Sequence, residues 1–288
     1  LNKKKILIVG VDGMAGNMIY SYLNSLNKYD LMCTSRKKPT LPNIFSVDIE
    51  KNVENLKIKI QELNPDIIIN CIGLLVKESE LNPERAIYVN SLFPHLLEAY
   101  TKDMITKIIH LSTDCIFKGD KKDWIYMEND LPTETNWYGR SKALGEINNK
   151  KDLTLRMSII GPQLKNNLSL FHWIMTTKDP IIQGFDDVYW NGITTLELAK
   201  QIDKIIDTNL TGIYNLVPNF NIIKGDLVRL INEKFNCKKT IESNKDLYQC
   251  KLLINSRREE YNPYIPEYEV QLEELKTWMK TNIYHIYQ

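Results

Sequence analysis

A chain of 288 residues, 43% apolar and 25% charged, has the length of one large α/β domain or two small ones and the composition of a globular protein. Its 37 basic and 36 acidic residues leave a net charge of +1, which gives no electrostatic footing for nucleic acid or an anionic membrane. Five widely spaced cysteines without a CxxC pair, and histidines that do not cluster with them, exclude a disulfide framework and a zinc site and point to a reducing compartment.

KILIVG (5–10) is a continuous apolar run, the pattern of a strand buried on both faces. Before it, the basic LNKK lacks the long apolar stretch of a secretory leader. MAGNMIYSYLNSL places Met14, Met18, Tyr22 and Leu26 on one helical face. YDLMCTS (29–35) and NIFSVD (43–48) predict two more strands, and ENLKIKIQEL a helix stopped at Asn64-Pro65. DIIINCIG (66–73) is again a buried strand; with the LLV that follows it is still too short to cross a bilayer, so a cytoplasmic location is expected. PERAIYVNSLFPHLLEAY predicts a helix bent at Pro94, and TKIIHLS (106–112) a fifth strand. After a polar stretch over 118–136, WYGRSKALGEINN predicts a helix and LTLRMSII (153–160) a sixth strand. Strands alternating with helices in this way build a parallel sheet with crossover helices. Beyond Gly161-Pro162 the rhythm breaks and aromatics thicken. TTLELAKQIDKII and GIYNLV, within 194–217, read as returning to the sheet, and 218–288 as a small mixed lobe.

Gly10-Val-Asp-Gly13-Met-Ala-Gly16 follows the first strand and opens the first helix. A tight turn there brings backbone N–H groups and a helix N-terminus to a pyrophosphate, so Gly10, Asp12, Gly13, Met14, Ala15 and Gly16 are read as a dinucleotide-binding turn. The glycines are spaced GxxGxxG rather than GxGxxG. The end of the second strand reads the adenosine ribose, where an acid favours NAD and a nearby Arg accommodates the 2′-phosphate of NADP. This chain has TSRKK (34–38) and no acid. Ser35, Arg36 and Lys37 therefore predict NADPH, with NADH as the alternative. The expected architecture is α/β: a Rossmann-type doubly wound parallel sheet over 1–160, rejoined by 194–217, with a smaller mixed α/β substrate lobe mainly within 161–288.

The fifth strand ends in STDCIF (112–117), and 25 residues after Thr113 comes Tyr138-Gly-Arg-Ser-Lys142. Tyr and Lys at i and i+4 share a helical face. An ammonium beside a phenol favours the phenolate, which lowers the Tyr pKa from its reference near ~10 and makes Tyr138 a usable proton donor. Active sites of open α/β sheets lie at the carboxyl ends of strands, where Thr113 falls.

Together these parts resemble the extended short-chain dehydrogenase/reductases, and within them the dTDP-4-dehydrorhamnose reductase family of nucleotide-sugar reductases. GVDGMAG, Asp48 of VDIE, PDIIINCIG, AIYVN, HLSTDCIFKG, PTETNWYGRSKALGE and LTLRMS carry the resemblance, in family order over nearly the whole chain. It implies a triad in which Thr113 bonds the substrate carbonyl, Tyr138 protonates the developing alkoxide, and Lys142 holds the nicotinamide ribose. It further implies that Asp48 and Ile49 border the adenine, that Cys71, Ile72 and Gly73 pass under the cofactor, and that Asn90 of AIYVN belongs to the same site. The substrate would be a nucleotide-activated 4-keto-6-deoxyhexose, with dTDP or UDP as the nucleotide and a deoxysugar for cell-surface polysaccharide as the product. Its wall is expected from Leu75, Lys77, Asp114, Cys115, Trp137, His172, Trp190 and Asn191. A homodimer is compatible with the resemblance.

Two departures stand out. CIG replaces the family's alanines after the fourth strand, and Cys115 replaces the aromatic usual after STD. Cys115 two positions beyond Thr113, and His172 eleven beyond Gly161, resemble the pair with which GDP-fucose synthase epimerises its 4-keto sugar. A bifunctional 3,5-epimerase/4-reductase is thus one alternative to a plain reductase, although a wall cysteine and a helix histidine explain the same residues. Another is a regulatory subunit that binds NADP without turnover; the intact Tyr138 and Lys142 argue against it.

Overall fold

The computed structural model of the protein describes residues 3–37, 43–122, 124–163 and 169–282. Lys38 of the expected phosphate loop and residues 164–168 and 283–288 of the expected substrate lobe lie outside these.

Within each strand, alternation decides which side of the sheet a residue serves. In β1 (Lys5–Val9), Ile6 and Ile8 join one core cluster while Leu7 and Val9 join the other, all four with no exposure. A strand sandwiched between two helical layers needs both faces apolar, and the unbroken run KILIV supplies them. The chain continues through α1 (Met14–Ser25), β2 (Asp30–Ser35), β3 (Ile44–Ser46), α2 (Val53–Leu63) and β4 (Ile67–Asn70). Then come α3 (Val76–Leu81), α4 (Pro83–Ala86), a π-helical turn over Ile87–Leu92, α5 (Phe93–Tyr100), β5 (Lys107–Leu111), α6 (Trp137–Leu144) and β6 (Leu153–Arg156). The remainder holds β7 (Ile159–Ile160), α7 (Leu170–Thr176), β8 (Ile181–Phe185), β9 (Val188–Trp190), β10 (Ile193–Thr194), α8 (Thr195–Ile205) and β11 (Gly212–Asn215). It ends with β12 (Ile222–Ile223), α9 (Lys224–Lys234), β13 (Thr240–Asn244), β14 (Gln249–Cys250) and α10 (Tyr268–Thr281).

Seven parallel strands form the central sheet in the order β3-β2-β1-β4-β5-β6-β11. This is a doubly wound Rossmann-type sheet, as expected, and its strand order reverses between β1 and β4. Ligands of such sheets bind outside the carboxyl ends of the strands at that reversal. Met18 and Ile19 of α1 and Ile202 and Ile205 of α8 pack on one face, and Leu56 and Ile60 of α2 and Phe93 and Leu97 of α5 on the other.

Three elements differ from the sequence reading. The helix expected over 83–100 is interrupted by the π-helical turn. Pro94 lies in the first turn of α5 and has no N–H to return to the carbonyl of Asn90, so the ladder widens there. The helix expected over 137–149 stops at Leu144, with Gly145 as its C-cap. The strand expected over 153–160 divides: β6 stays in the main sheet, while β7 leaves it to pair with β10.

Candidate functional site

The glycine turn divides into positions the fold itself requires and one it leaves bare. Gly10 has φ +92°, and a Cβ there would sit 2.7 Å from Ile72 Cγ1. A Cβ on Gly16 would sit 2.3 Å from the carbonyl oxygen of Gly10, so α1 can reach β1 only without it. Gly13, by contrast, would meet only ordinary contacts at 3.5 Å and beyond. It is the N-cap of α1 and offers no side-chain cap to the first-turn N–H groups of Met14, Ala15 and Gly16. Helix-start N–H groups left by a bare glycine are suited to a phosphate. After β4, Gly73 repeats the pattern: its Cβ would lie 3.5 Å from Asn90 Oδ1 and 4.0 Å from Lys142 Nζ. Both glycines leave the position of a Cβ open, one at the start of α1 and one facing Asn90 and Lys142.

At the strand end expected to meet the ribose, Ser35 closes β2 and is buried, and Arg36 and Lys37 follow it in the open. Arg36 forms no ion pair among the described residues, though its charge helps hold the Glu50 carboxyl low, after the larger effect of the Arg85 hydrogen bond. Ser35 Oγ donates to Asp12 Oδ2 at 2.6 Å and accepts from Lys37 N at 3.0 Å. Asp48 turns inward on its own loop, accepting from Glu50 N at 3.1 Å, and Ile49 is buried with its carbonyl bonded by Tyr88.

Thr113, Tyr138 and Lys142 are brought together at the carboxyl end of β5. Thr113 caps the short turn Asp114–Ile116 by accepting from Cys115 N at 3.1 Å, and it donates to Asp114 Oδ1 at 3.1 Å. Asn136 caps α6 by accepting from Gly139 N at 2.8 Å, which starts the helix one residue before Tyr138. Gly139 lets the helix lie against the turn: a Cβ there would fall 2.4 Å from the Cys115 carbonyl oxygen. One helical turn on, Lys142 is 4% exposed and donates from Nζ to the Leu111 carbonyl at 2.7 Å. Asn90, carried by the π-helical turn, accepts from Leu74 N at 2.8 Å and donates to Ser141 Oγ at 3.0 Å, fastening the loop after β4 to α6.

The charge states differ from the sequence expectation. Burial pushes the Tyr138 phenol up, and Cys115 and Asp114 add to it, while a hydrogen bond with Thr113 pulls the other way. Burial lowers Lys142 to about 8, against the opposing pull of Glu146 and Cys71. The ammonium therefore does not depress the phenol here: it is turned to the Leu111 carbonyl. Burial, with Asp114 beside it, pushes the Cys115 thiol up to about 12.

On the expected substrate side, Leu75 and Lys77 are exposed at the start of α3, and Trp137 is 38% exposed beneath the Arg140 guanidinium. Asp114 is buried, and burial raises its carboxyl, while Lys251 and Lys224 lower it. His172 is buried in α7. Trp190 and Asn191 are buried and held by their neighbours. Trp190 Nε1 donates to Ser158 Oγ at 2.8 Å with its ring 5.5 Å from Tyr268, and Asn191 exchanges bonds with Leu253 O and N.

Several neighbours escaped the sequence reading. Glu80 of α3 accepts from Tyr138 N at 3.2 Å. Behind Lys142, Glu146 accepts from Ser112 Oγ at 2.7 Å and pairs with buried Arg156 at 2.7 Å. Only the position of Glu146 on the same predicted helix as Lys142 hinted at the second of these.

The sheet, the bare glycines and the Thr-Tyr-Lys cluster define an oxidoreductase of the extended short-chain dehydrogenase/reductase type. The chain belongs to the RmlD substrate binding domain family, which it matches over residues 4–249. It is 33% identical over 240 residues to the probable low-salt glycan biosynthesis reductase Agl14 of Haloferax volcanii, spanning 78% of each chain. It is 23% identical over 249 residues to methionine adenosyltransferase 2 subunit beta of Xenopus tropicalis, spanning 81% of this chain and 72% of that one. A crystal structure of dTDP-4-dehydrorhamnose reductase from Bacillus anthracis in complex with NADP superposes with a TM-score of 0.81, over 96% of this chain and 100% of that one, at 23% identity. That likeness is one of fold.

Proposed function

We propose that this protein uses NADPH to reduce the 4-keto group of a dTDP- or UDP-activated 4-keto-6-deoxyhexose, in the making of a deoxysugar for cell-surface polysaccharide. The observation that carries the reading is the gathering of Thr113, Tyr138 and Lys142 at the carboxyl end of β5, on the side of Gly73 where a bare backbone faces Lys142 Nζ. The first turn of α1 would hold the pyrophosphate, Gly73 would leave space for the nicotinamide, and Lys142 would bond its ribose. The chemistry such a cofactor would supply there is donation of a hydride to the ketone carbon. Thr113 would turn its Oγ1 proton from Asp114 Oδ1 to the ketone oxygen, and Tyr138 would deliver a proton to that oxygen as it becomes an alkoxide. A phenol kept protonated by burial is the right state for an acid, and a ribose-bound Lys142 beside it would help it release the proton. Residues 161–288 would supply most of the sugar-nucleotide wall, with Asp114, Cys115, Trp137 and His172 nearest the sugar.

Mixing the protein with NADPH and a dTDP-4-keto-6-deoxyhexose should oxidise the cofactor, read as loss of nicotinamide absorbance. Tyr138→Phe should lower turnover by about 10²-fold or more while NADPH still binds. Unchanged turnover in that variant removes the mechanism. The relative named as a transferase subunit supports a second reading, a regulatory subunit; wild type that binds NADPH and consumes none with any 4-keto sugar nucleotide would establish it.

A further inference from the structure

The proposed cofactor site carries an acid that the sequence pattern of a ribose reader does not show. An acid at the end of β2 is the usual receptor for a ribose 2′-hydroxyl, and this chain has Ser35 there instead. Asp12, in the glycine turn, lies 23 positions earlier, and its Oδ2 accepts from Ser35 Oγ at 2.6 Å. A hydroxyl has one proton to donate. Ser35 gives it to Asp12, and its own oxygen already accepts from Lys37 N, so that backbone N–H is also engaged. Of the three residues that suggested a phosphate clasp, Ser35 and the Lys37 backbone thus have their donors committed. The Arg36 and Lys37 side chains, both exposed and neither in an ion pair among the described residues, are left to meet a 2′-phosphate.

We infer that Asp12 is the cofactor-selectivity residue of this site. From the glycine turn it places a carboxylate where β2 lacks one, accepting a 2′-hydroxyl and opposing a 2′-phosphate. The inference rests on the dinucleotide site proposed above and deepens it. A 2′-phosphate entering beside Ser35 must take its proton from Asp12 and sit against a like charge; a 2′-hydroxyl brings its own proton for the carboxylate to accept. Arg36 works in the opposite sense, since its guanidinium pairs with phosphate and has little to offer a hydroxyl. The two residues set the cofactor ratio between them, and NADH is accepted alongside NADPH.

The test measures binding rather than turnover. Affinities of wild type, Asp12→Asn and Arg36→Ala for NADPH, NADH, 2′,5′-ADP and 5′-ADP are taken by calorimetry, with thermal melts to show that each variant is folded. In Asp12→Asn the NADPH-to-NADH affinity ratio should rise roughly tenfold, equal to about 1.4 kcal/mol. The 2′,5′-ADP-to-5′-ADP ratio should rise with it, because the effect lies at the 2′ position and not at the nicotinamide. In Arg36→Ala both ratios should fall. Ratios in Asp12→Asn that match wild type would overturn the inference while leaving the cofactor site in place. A wild type that binds none of the four would remove the cofactor site and this inference with it.

Discussion

Lys142 is held at a cost in stability, and the cost can be measured. Replacing it by Met keeps the volume of the stem and removes the ammonium. Depression of Lys142 from 10.5 to about 8 corresponds to about 3 kcal/mol at about 1.4 kcal/mol per pH unit. The sign follows from proton counting. Unfolded Lys142 keeps its proton up to its ordinary value of 10.5, whereas folded Lys142 loses it above about 8. Below pH 8 both states are charged, and the folded state bears the full penalty of a buried cation. Between 8 and 10.5 the unfolded chain binds more protons, so stability rises with pH and the penalty is relieved. The methionine side chain carries no such penalty, but it leaves the Leu111 carbonyl without its donor, a loss of about 1 kcal/mol. The Glu146 carboxylate stays paired with Arg156 and Ser112. Lys142→Met should therefore be more stable than wild type by about 2 kcal/mol at pH 7, with Tm raised by roughly 4 °C or more. Its reductase activity should be lost. Urea titrations of both proteins at pH 7, 9 and 10.5 test the reasoning: the advantage should shrink across that series. A variant no more stable than wild type at pH 7, or an advantage that does not change with pH, refutes it.

Gly139→Ala forces a Cβ to within 2.4 Å of the Cys115 carbonyl oxygen and 2.3 Å of Glu134 Cγ. It should destabilise by about 1–3 kcal/mol, the cost of overpacking. Because it pushes α6 away from Thr113, kcat should fall more than stability does, and a fully active variant would show that this contact does not place Tyr138. Cys115, its thiol pushed up to about 12, is not a thiolate near neutrality, so the 4-keto sugar nucleotide incubated in D₂O with enzyme and no usable hydride should gain no deuterium at C3 or C5 above background. Enzyme-dependent incorporation that disappears in Cys115→Ser would make the protein an epimerase as well as a reductase.

Local pattern was enough to determine the framework. The apolar runs of β1, β4 and β5, the helical faces of α1 and α2, and the turn after β1 are properties of a few neighbouring residues. They were legible because burial on two faces and the 3.6-residue period act over short spans. Tyr138 and Lys142 were legible as a pair for the same reason, being one turn apart on α6. Their charge states were not, because desolvation depends on what covers a group. The sequence places a lysine beside a phenol; packing turns that lysine to the Leu111 carbonyl and lowers it. The π-helical turn that delivers Asn90, and the departure of β7 to pair with β10, also needed the tertiary structure, since each answers to a partner elsewhere in the chain. Trp190 and Asn191 were expected in the substrate wall, and only the tertiary structure shows the contacts with Ser158, Tyr268 and Leu253 that hold them. The contact between Asp12 and Ser35 is the clearest case. No acid occurs at the end of β2, yet parallel pairing of β1 with β2 sets the two strand ends side by side and brings Asp12 to Ser35. A carboxylate acts through distance in space, and the sequence records only distance along the chain.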